Sequence, residues 1–156
     1  MGSYKVYFNN NKTEDHEESM TNLNDVKDKA KGWLARYKEG SVEIFQDGPF
    51  DNSLIATYFN DAFTHRMSNT HDNGGYFVGV NTHWPFFRAS DLTSARIKAC
   101  QYMKANHIRG MCIFSPVTGG FRDVGMIITN GSRYEYINDV GKHYTLNPDN
   151  GRIGKY

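Results

Sequence analysis

TNLNDVKDKAKGWLARYKEGSVEIF, residues 21–45, and SDLTSARIKACQYMKANHIRGMCIF, residues 90–114, decide how this chain is read. At an offset of 69 positions Leu23 meets Leu92, Val26 meets Ala95, Ala30 meets Ala99, Trp33 meets Tyr102 and Leu34 meets Met103. The spacing i, i+3, i+7, i+10, i+11 marks one face of an α-helix in each stretch. Thr21 or Asn22 before the first helix, and Ser90-Asp91 before the second, bring short side-chain oxygens that accept from the free N–H groups of a first turn. Gly40 and Gly110 are the expected helix stops, because glycine tolerates the left-handed backbone that closes a helix.

Working outward, each helix runs into an apolar strand: Val42, Ile44 and Phe45 answer Met111, Ile113 and Phe114. Turn residues follow (Asp47-Gly48-Pro49; Pro116 to Gly120), and then a second strand, 54–59 in one copy and 124–129 in the other. Upstream, Val6-Tyr7-Phe8-Asn9 resembles Val78-Gly79-Val80-Asn81. A repeat of this order and phase predicts an α+β fold, a tandem β-α-β-β unit with two helices on one face of a mainly antiparallel sheet. Each strand–helix–strand crossover is expected to be right-handed. Tyr134 and Tyr136, then residues 143–146, alternate as a C-terminal β-hairpin entered through Asn130-Gly131. The expected division is 1–62 for the first unit, 63–74 for a linker, 75–131 for the second unit, and 132–156 for the hairpin and a mobile tail, all packed as one domain.

Hydrophobic residues at 38% and aromatics at 14% are enough to build a core without metal or disulfide staples. No apolar run is long enough to cross a bilayer, and no basic segment precedes an apolar stretch at the N-terminus, so neither a membrane span nor a secretory signal is expected. Cys100, in the second helix, and Cys112, in the strand after it, read as buried hydrophobes of a reducing compartment. The expected location is the cytoplasm, its own cell's or a host's. The formal net charge of +1 hides a split. Residues 1–74 hold 8 Lys/Arg and 12 Asp/Glu, a balance of −4; residues 75–156 hold 10 and 5, a balance of +5. Such asymmetry fits polarised contact with a charged partner, or attraction between the halves.

The segment 81–88, Asn-Thr-His-Trp-Pro-Phe-Phe-Arg, is the feature the second copy has and the first lacks. Read as a loop, it offers Trp84, Phe86, Phe87 and Arg88 as partner-binding residues, since Trp and Arg often anchor interfaces. Arg96 and Arg122 join them as basic neighbours, with Lys98, Lys104 and Arg109 beyond. The alternative is that the aromatics fold back as a satellite core. Basic side chains among rings can also track a phosphate backbone while bases stack, so direct nucleic-acid binding is open. His65, His71, Asp72 and His83 have types suited to a metal, but His65-x5-His71 is no helical ligand pair, and no metal or cofactor is expected. Cys112 in a core strand is expected to be inert, and Gly119-Gly120 lacks the lysine and helix of a phosphate loop. The acidic run Glu14, Asp15, Glu17 and Glu18 reads as a solvated loop or as a mimic of phosphate spacing. No catalytic residue is assigned.

The run Tyr4–Asn9, then 23–37, then 42–48, with the chain's length and its Asn/Tyr/Lys-rich style, resembles the small accessory proteins of phages and mobile elements, anti-CRISPR inhibitors among them. The resemblance implies a non-catalytic protein that acts by binding a host machine, and it carries over no functional residue. The leading expectation is an inhibitor or adaptor that binds a protein or nucleoprotein complex. The alternative is a small ligand- or metal-binding protein or enzyme with a pocket between the repeats. There the chain resembles the vicinal-oxygen-chelate enzymes in repeat topology alone, with no matching His/Glu ligands.

Overall fold

A computed structural model describes residues 3–9, 15–49, 52–71, 74–81 and 84–155. The chain is α+β, with two helices and largely antiparallel sheets among these residues. It divides into two compact units, residues 1–73 with 116–121, and residues 74–115 with 122–156.

The first unit contains β1 (Tyr4–Asn9), β2 (Asp15–Met20), α1 (Leu23–Arg36), β3 (Ser41–Gln46), β4 (Ser53–Asn60) and β5 (Met67–Asn69). Its sheet runs β2-β1-β3-β4-β5. Asn22 caps α1, its side-chain oxygen accepting from the N–H of Asn24 at 2.9 Å and of Asp25 at 3.2 Å. Val26, Ala30 and Leu34 then turn one helix face into the core, against Val6 and Phe8 of β1, Val42 and Ile44 of β3, and Ala56 and Tyr58 of β4. The register explains the choice: Val6 faces Ile44 and Phe8 faces Val42, so alternate residues of neighbouring strands share the helix side. Among the residues of the later stretch counted with this unit, Gly119 bridges Leu54 and the Phe121 ring lies 5.7 Å from His71.

The second unit contains β6 (Tyr76–Asn81), β7 (Trp84–Ala89), α2 (Leu92–Asn106), β8 (Gly110–Val117), β9 (Gly120–Thr129), β10 (Tyr134–Asn138), β11 (His143–Leu146) and β12 (Ile153–Lys155). Its sheet runs β12-β11-β10-β9-β8-β6-β7. Asp91 caps α2 by accepting from the Ser94 N–H at 2.7 Å. That bond, joined by the Ser94 hydroxyl, holds the Asp91 carboxyl below its ordinary value. Ala95, Ala99, Cys100 and Met103 form the buried face of α2.

Several expectations change. There are two sheets, each with its own helix, in place of one sheet carrying both. A strand absent from the expected repeat, β2 or β7, lies between the opening strand and the helix in each unit. It reverses the chain once more, so β1 meets β3, and β6 meets β8, antiparallel. A right-handed parallel crossover therefore does not arise. The acidic run that read as a loop is strand from Asp15 onward, while Glu14 lies outside the described residues. Part of the expected linker is β5, and the expected tail is β12, paired with β11 from Tyr144↔Lys155 to Leu146↔Ile153. The helices stop before the expected glycines: α1 at Arg36, and α2 at Asn106 with His107 in the left-handed region (φ 54). The C-terminal hairpin forms as read, with Tyr136 opposite Tyr144.

Both thiols are unlinked. Burial pushes Cys100 up to about 12, and burial followed by the nearby Asp123 charge raises Cys112. No helix among the described residues is long and apolar enough to cross a membrane.

Candidate functional site

Of the 81–88 segment, Asn81 ends β6 and Trp84 to Arg88 are strand rather than open loop, while Thr82 and His83 lie outside the described residues. Residues 84–89 are β7, paired with β6 through Val78↔Phe87 and Phe77↔Arg88. Phe87 is fully buried and Trp84 is 9% exposed, so neither ring is placed to insert into a partner. Phe86 is half-buried, its ring 5.4 Å from Tyr102 of α2, and Phe87 lies 5.7 Å from the same tyrosine. Arg88 is held inward, donating from Nε to the Gly74 carbonyl at 3.0 Å. The physical reason is cost: three large rings in four positions lose more by staying in water than a short strand loses by ordering. Lys98 donates to the Arg88 carbonyl at 3.3 Å, while Lys104 and Arg109 are exposed elsewhere on the unit.

Arg96 and Arg122, the other two residues singled out, do come together. Both line a cleft of about 260 Å³ with Leu92, Val124, Tyr136, Asn138, Asp139, Tyr144 and Ile153. It lies wholly within the second unit. Arg96 stands one turn into α2, and its guanidinium carbon sits 4.3 Å over the ring of Tyr136. Tyr136 is a buried β10 residue set against Ile127 on one side and Tyr144 on the other. The ring fits because position 125 is glycine: a Cβ there would stand 2.3 Å from the Tyr136 hydroxyl. That hydroxyl donates to the Val124 carbonyl at 3.4 Å.

The end of the chain completes the holder. Arg96 Nη1 donates to the Gly151 carbonyl at 3.4 Å. Gly151 has φ 70 and lies so close to α2 that a Cβ would meet the Thr93 carbonyl at 2.7 Å. The turn itself is tied by Gly151 N–H to the Asn147 carbonyl at 2.8 Å. Nε of Arg96 is buried and finds no acceptor among the described residues. Asn138 spends its oxygen on the β10–β11 turn, accepting from the N–H of Val140 at 3.1 Å and of Lys142 at 2.9 Å. Arg122 and Asp139 are exposed.

A stacked, half-sequestered arginine beside a second arginine and two tyrosines can hold an oxyanion attached to a partly apolar body. No spacing in the sequence marks Tyr136, Tyr144 or Gly151 as site residues. The alternation around Tyr136 marked a strand, but nothing along the chain paired it with a helix residue 40 positions earlier.

The first unit has its own cleft, of about 360 Å³, lined by Tyr7, Glu43, Phe45 and Asn52. Glu43 is 5% exposed, and the Tyr7 and Phe45 rings meet edge to face at 5.4 Å. Of the expected ligand types, His71 shares a 2.7 Å hydrogen bond with the Thr70 hydroxyl and His65 is exposed with φ 57. Asp72 and His83 lie outside the described residues. Among the described residues no three His, Cys, Asp or Glu side chains group as a metal site.

No protein-family model, curated protein or solved structure matches the chain.

Proposed function

We propose that this chain is a non-catalytic interaction protein of the cytoplasm, an inhibitor or adaptor that binds a protein or nucleoprotein complex of a host, as anti-CRISPR inhibitors do. The observation that carries the reading is the meeting of Arg96 and Arg122 at one cleft of the basic unit. The charge division supports it. Residues 1–73 balance at −4, and residues 74–155 balance at +5, so the sign change falls on the boundary between compact units. A polarised molecule of this kind orients its encounter with a partner of complementary potential, and occlusion of the partner's surface is then enough to inhibit it. With Trp84 and Phe87 in the core, the contact is assigned to the basic cleft rather than to an aromatic loop.

The same reading includes a duplication. The order β2-β1-β3-β4 in one unit is repeated as β7-β6-β8-β9 in the other. The helices begin at Leu23 and Leu92, keeping the offset of 69. On this reading the shared parts are scaffold, and function lies in what the second copy adds.

Affinity capture with tagged protein from host lysate, with and without Arg96→Ala/Arg122→Ala, tests the proposal. The expected result is one saturable partner that the folded double variant loses. Capture of nothing specific, or equal capture by the variant, removes the reading. Filter binding to oligonucleotides at low salt runs beside it, since tight retention there would move the assignment to nucleic acid.

A further inference from the structure

We propose that the Arg96 cleft is a receptor for a carboxylate presented by a protein partner, either an acidic side chain or a chain terminus. The inference rests on the interaction-protein reading above and names the chemistry its site would take.

Three features converge on it. The guanidinium of Arg96 is positioned before any ligand arrives: Tyr136 lies beneath it and Gly151 accepts from Nη1. Much of the side-chain freedom is already spent, so that only a small shift of the guanidinium accompanies binding, and this is what separates a built receptor from a surface arginine. Next, its Nε–H is buried without an acceptor. A buried unsatisfied donor is costly, and an oxygen that draws the guanidinium slightly toward the cleft relieves that cost. Nε and a neighbouring Nη form the planar fork that a carboxylate matches with two parallel hydrogen bonds.

The third feature is charge. Arg96 and Arg122 bring two positive charges to the lining, and Asp139 brings one negative. One positive charge is left to be matched, which suits a monoanion. A phosphate dianion would bring a second negative charge against Asp139. Beside Tyr136, Asn138 and Tyr144, the lining includes the aliphatic Leu92, Val124 and Ile153, which fit the methylene or side-chain body that carries a carboxylate. The cleft volume of about 260 Å³ is of single-residue scale, too small for a folded surface to enter except by one projecting group.

The test follows the Arg96 Nε–H resonance in isotope-labelled full-length protein during four titrations. The probes are a blocked peptide with one internal glutamate, a peptide with a free C-terminal carboxylate after leucine, inorganic phosphate, and a thymidine oligonucleotide. One of the peptides is expected to shift the resonance saturably, half-way at a concentration on the order of 1 mM. Whichever peptide does so identifies the source of the carboxylate. Arg96→Lys keeps the charge but loses the fork and, followed by the backbone amide resonances of the cleft, is expected to weaken that peptide about tenfold. Arg122→Gln, which leaves α2 untouched, should weaken it less. Saturation by phosphate or the oligonucleotide at lower concentration than either peptide overturns the proposal. So does a shift that never saturates, or equal binding by Arg96→Lys. The two levels separate cleanly. If partner capture survives but no carboxylate reaches Arg96, this inference falls and the interaction reading stands. If a peptide carboxylate binds while no partner is captured, the reverse holds.

Discussion

The two units place different residues at the same point of a shared order. β2 and β7 both follow the opening strand, both precede the helix, and both form an outer edge of their sheet. β2 reads Asp-His-Glu-Glu-Ser-Met and holds its place with surface contacts, among them the Lys29–Glu18 ion pair and Lys5–Glu17 at 3.9 Å. β7 reads Trp-Pro-Phe-Phe-Arg-Ala and supplies its unit with buried rings. On the far side of the sheets the difference runs the other way. After β4 the first unit adds only the three-residue β5, while after β9 the second adds β10, β11 and β12 and with them the Arg96 cleft. The same strand order therefore accommodates a polar edge or an aromatic one, and the Arg96 cleft lies where strands are appended.

The largest break in this comparison should come from Phe87→Ala. Removing a fully buried ring is expected to cost about 3–5 kcal/mol, read from urea unfolding. Glu17→Ala in β2 should stay within about 0.5 kcal/mol. A mild effect at Phe87 would mean that β7 is as dispensable as β2.

Next in size is Gly151→Ala. A left-handed backbone and a Cβ at 2.7 Å from the Thr93 carbonyl both oppose it. The expected loss is about 1–3 kcal/mol, accompanied by movement of the Arg96 side-chain resonance, which a purely local strain would leave in place.

The helix caps give a smaller contrast with a sign. Asn22→Ala should cost about 1 kcal/mol, equally at neutral and at acid pH, because the cap is an amide. Asp91 has a lowered folded-state pKa, so its contribution is present above the ordinary value of 3.8 and is lost as pH falls through the folded value. Thermal melts across that range should show α2 weakening in acid, and Asp91→Asn should flatten the dependence. Smallest of all is Lys5→Ala, which breaks an exposed pair worth less than about 1 kcal/mol and should do nothing at high salt.

Both helices could be read along the chain because their signals are local: Val26, Ala30 and Leu34, or Ala95, Ala99 and Met103, repeat at helical spacing within one stretch. The caps at Asn22 and Asp91 and the Tyr136–Tyr144 hairpin are local in the same sense. β2 and β7 escaped for opposite reasons. β2 carries no apolar alternation, since an edge strand needs a partner on one side only and can draw its order from β1. In β7, Pro85 and adjoining aromatics blur the two-residue period; proline is tolerated because the strand lies at an edge. Of the candidate site, Arg96 and Arg122 were visible as basic residues near an aromatic segment. Their partners were not. Tyr136 and Gly151 reach Arg96 only through the sheet order and the returning C-terminal turn, which are long-range outcomes with no spacing in the sequence to announce them.

The sheet edges carry one more consequence. An open edge strand is a template on which another chain can add, and each of the four ends here is blunted in its own way. β5 and β12 are three residues long, too short to hold an incoming strand. β2 sets the acidic pair Glu17 and Glu18 along its edge, and β7 interrupts its row of donors with Pro85. A chain about half strand, and rich in aromatics, thereby blunts the edges on which another strand could add.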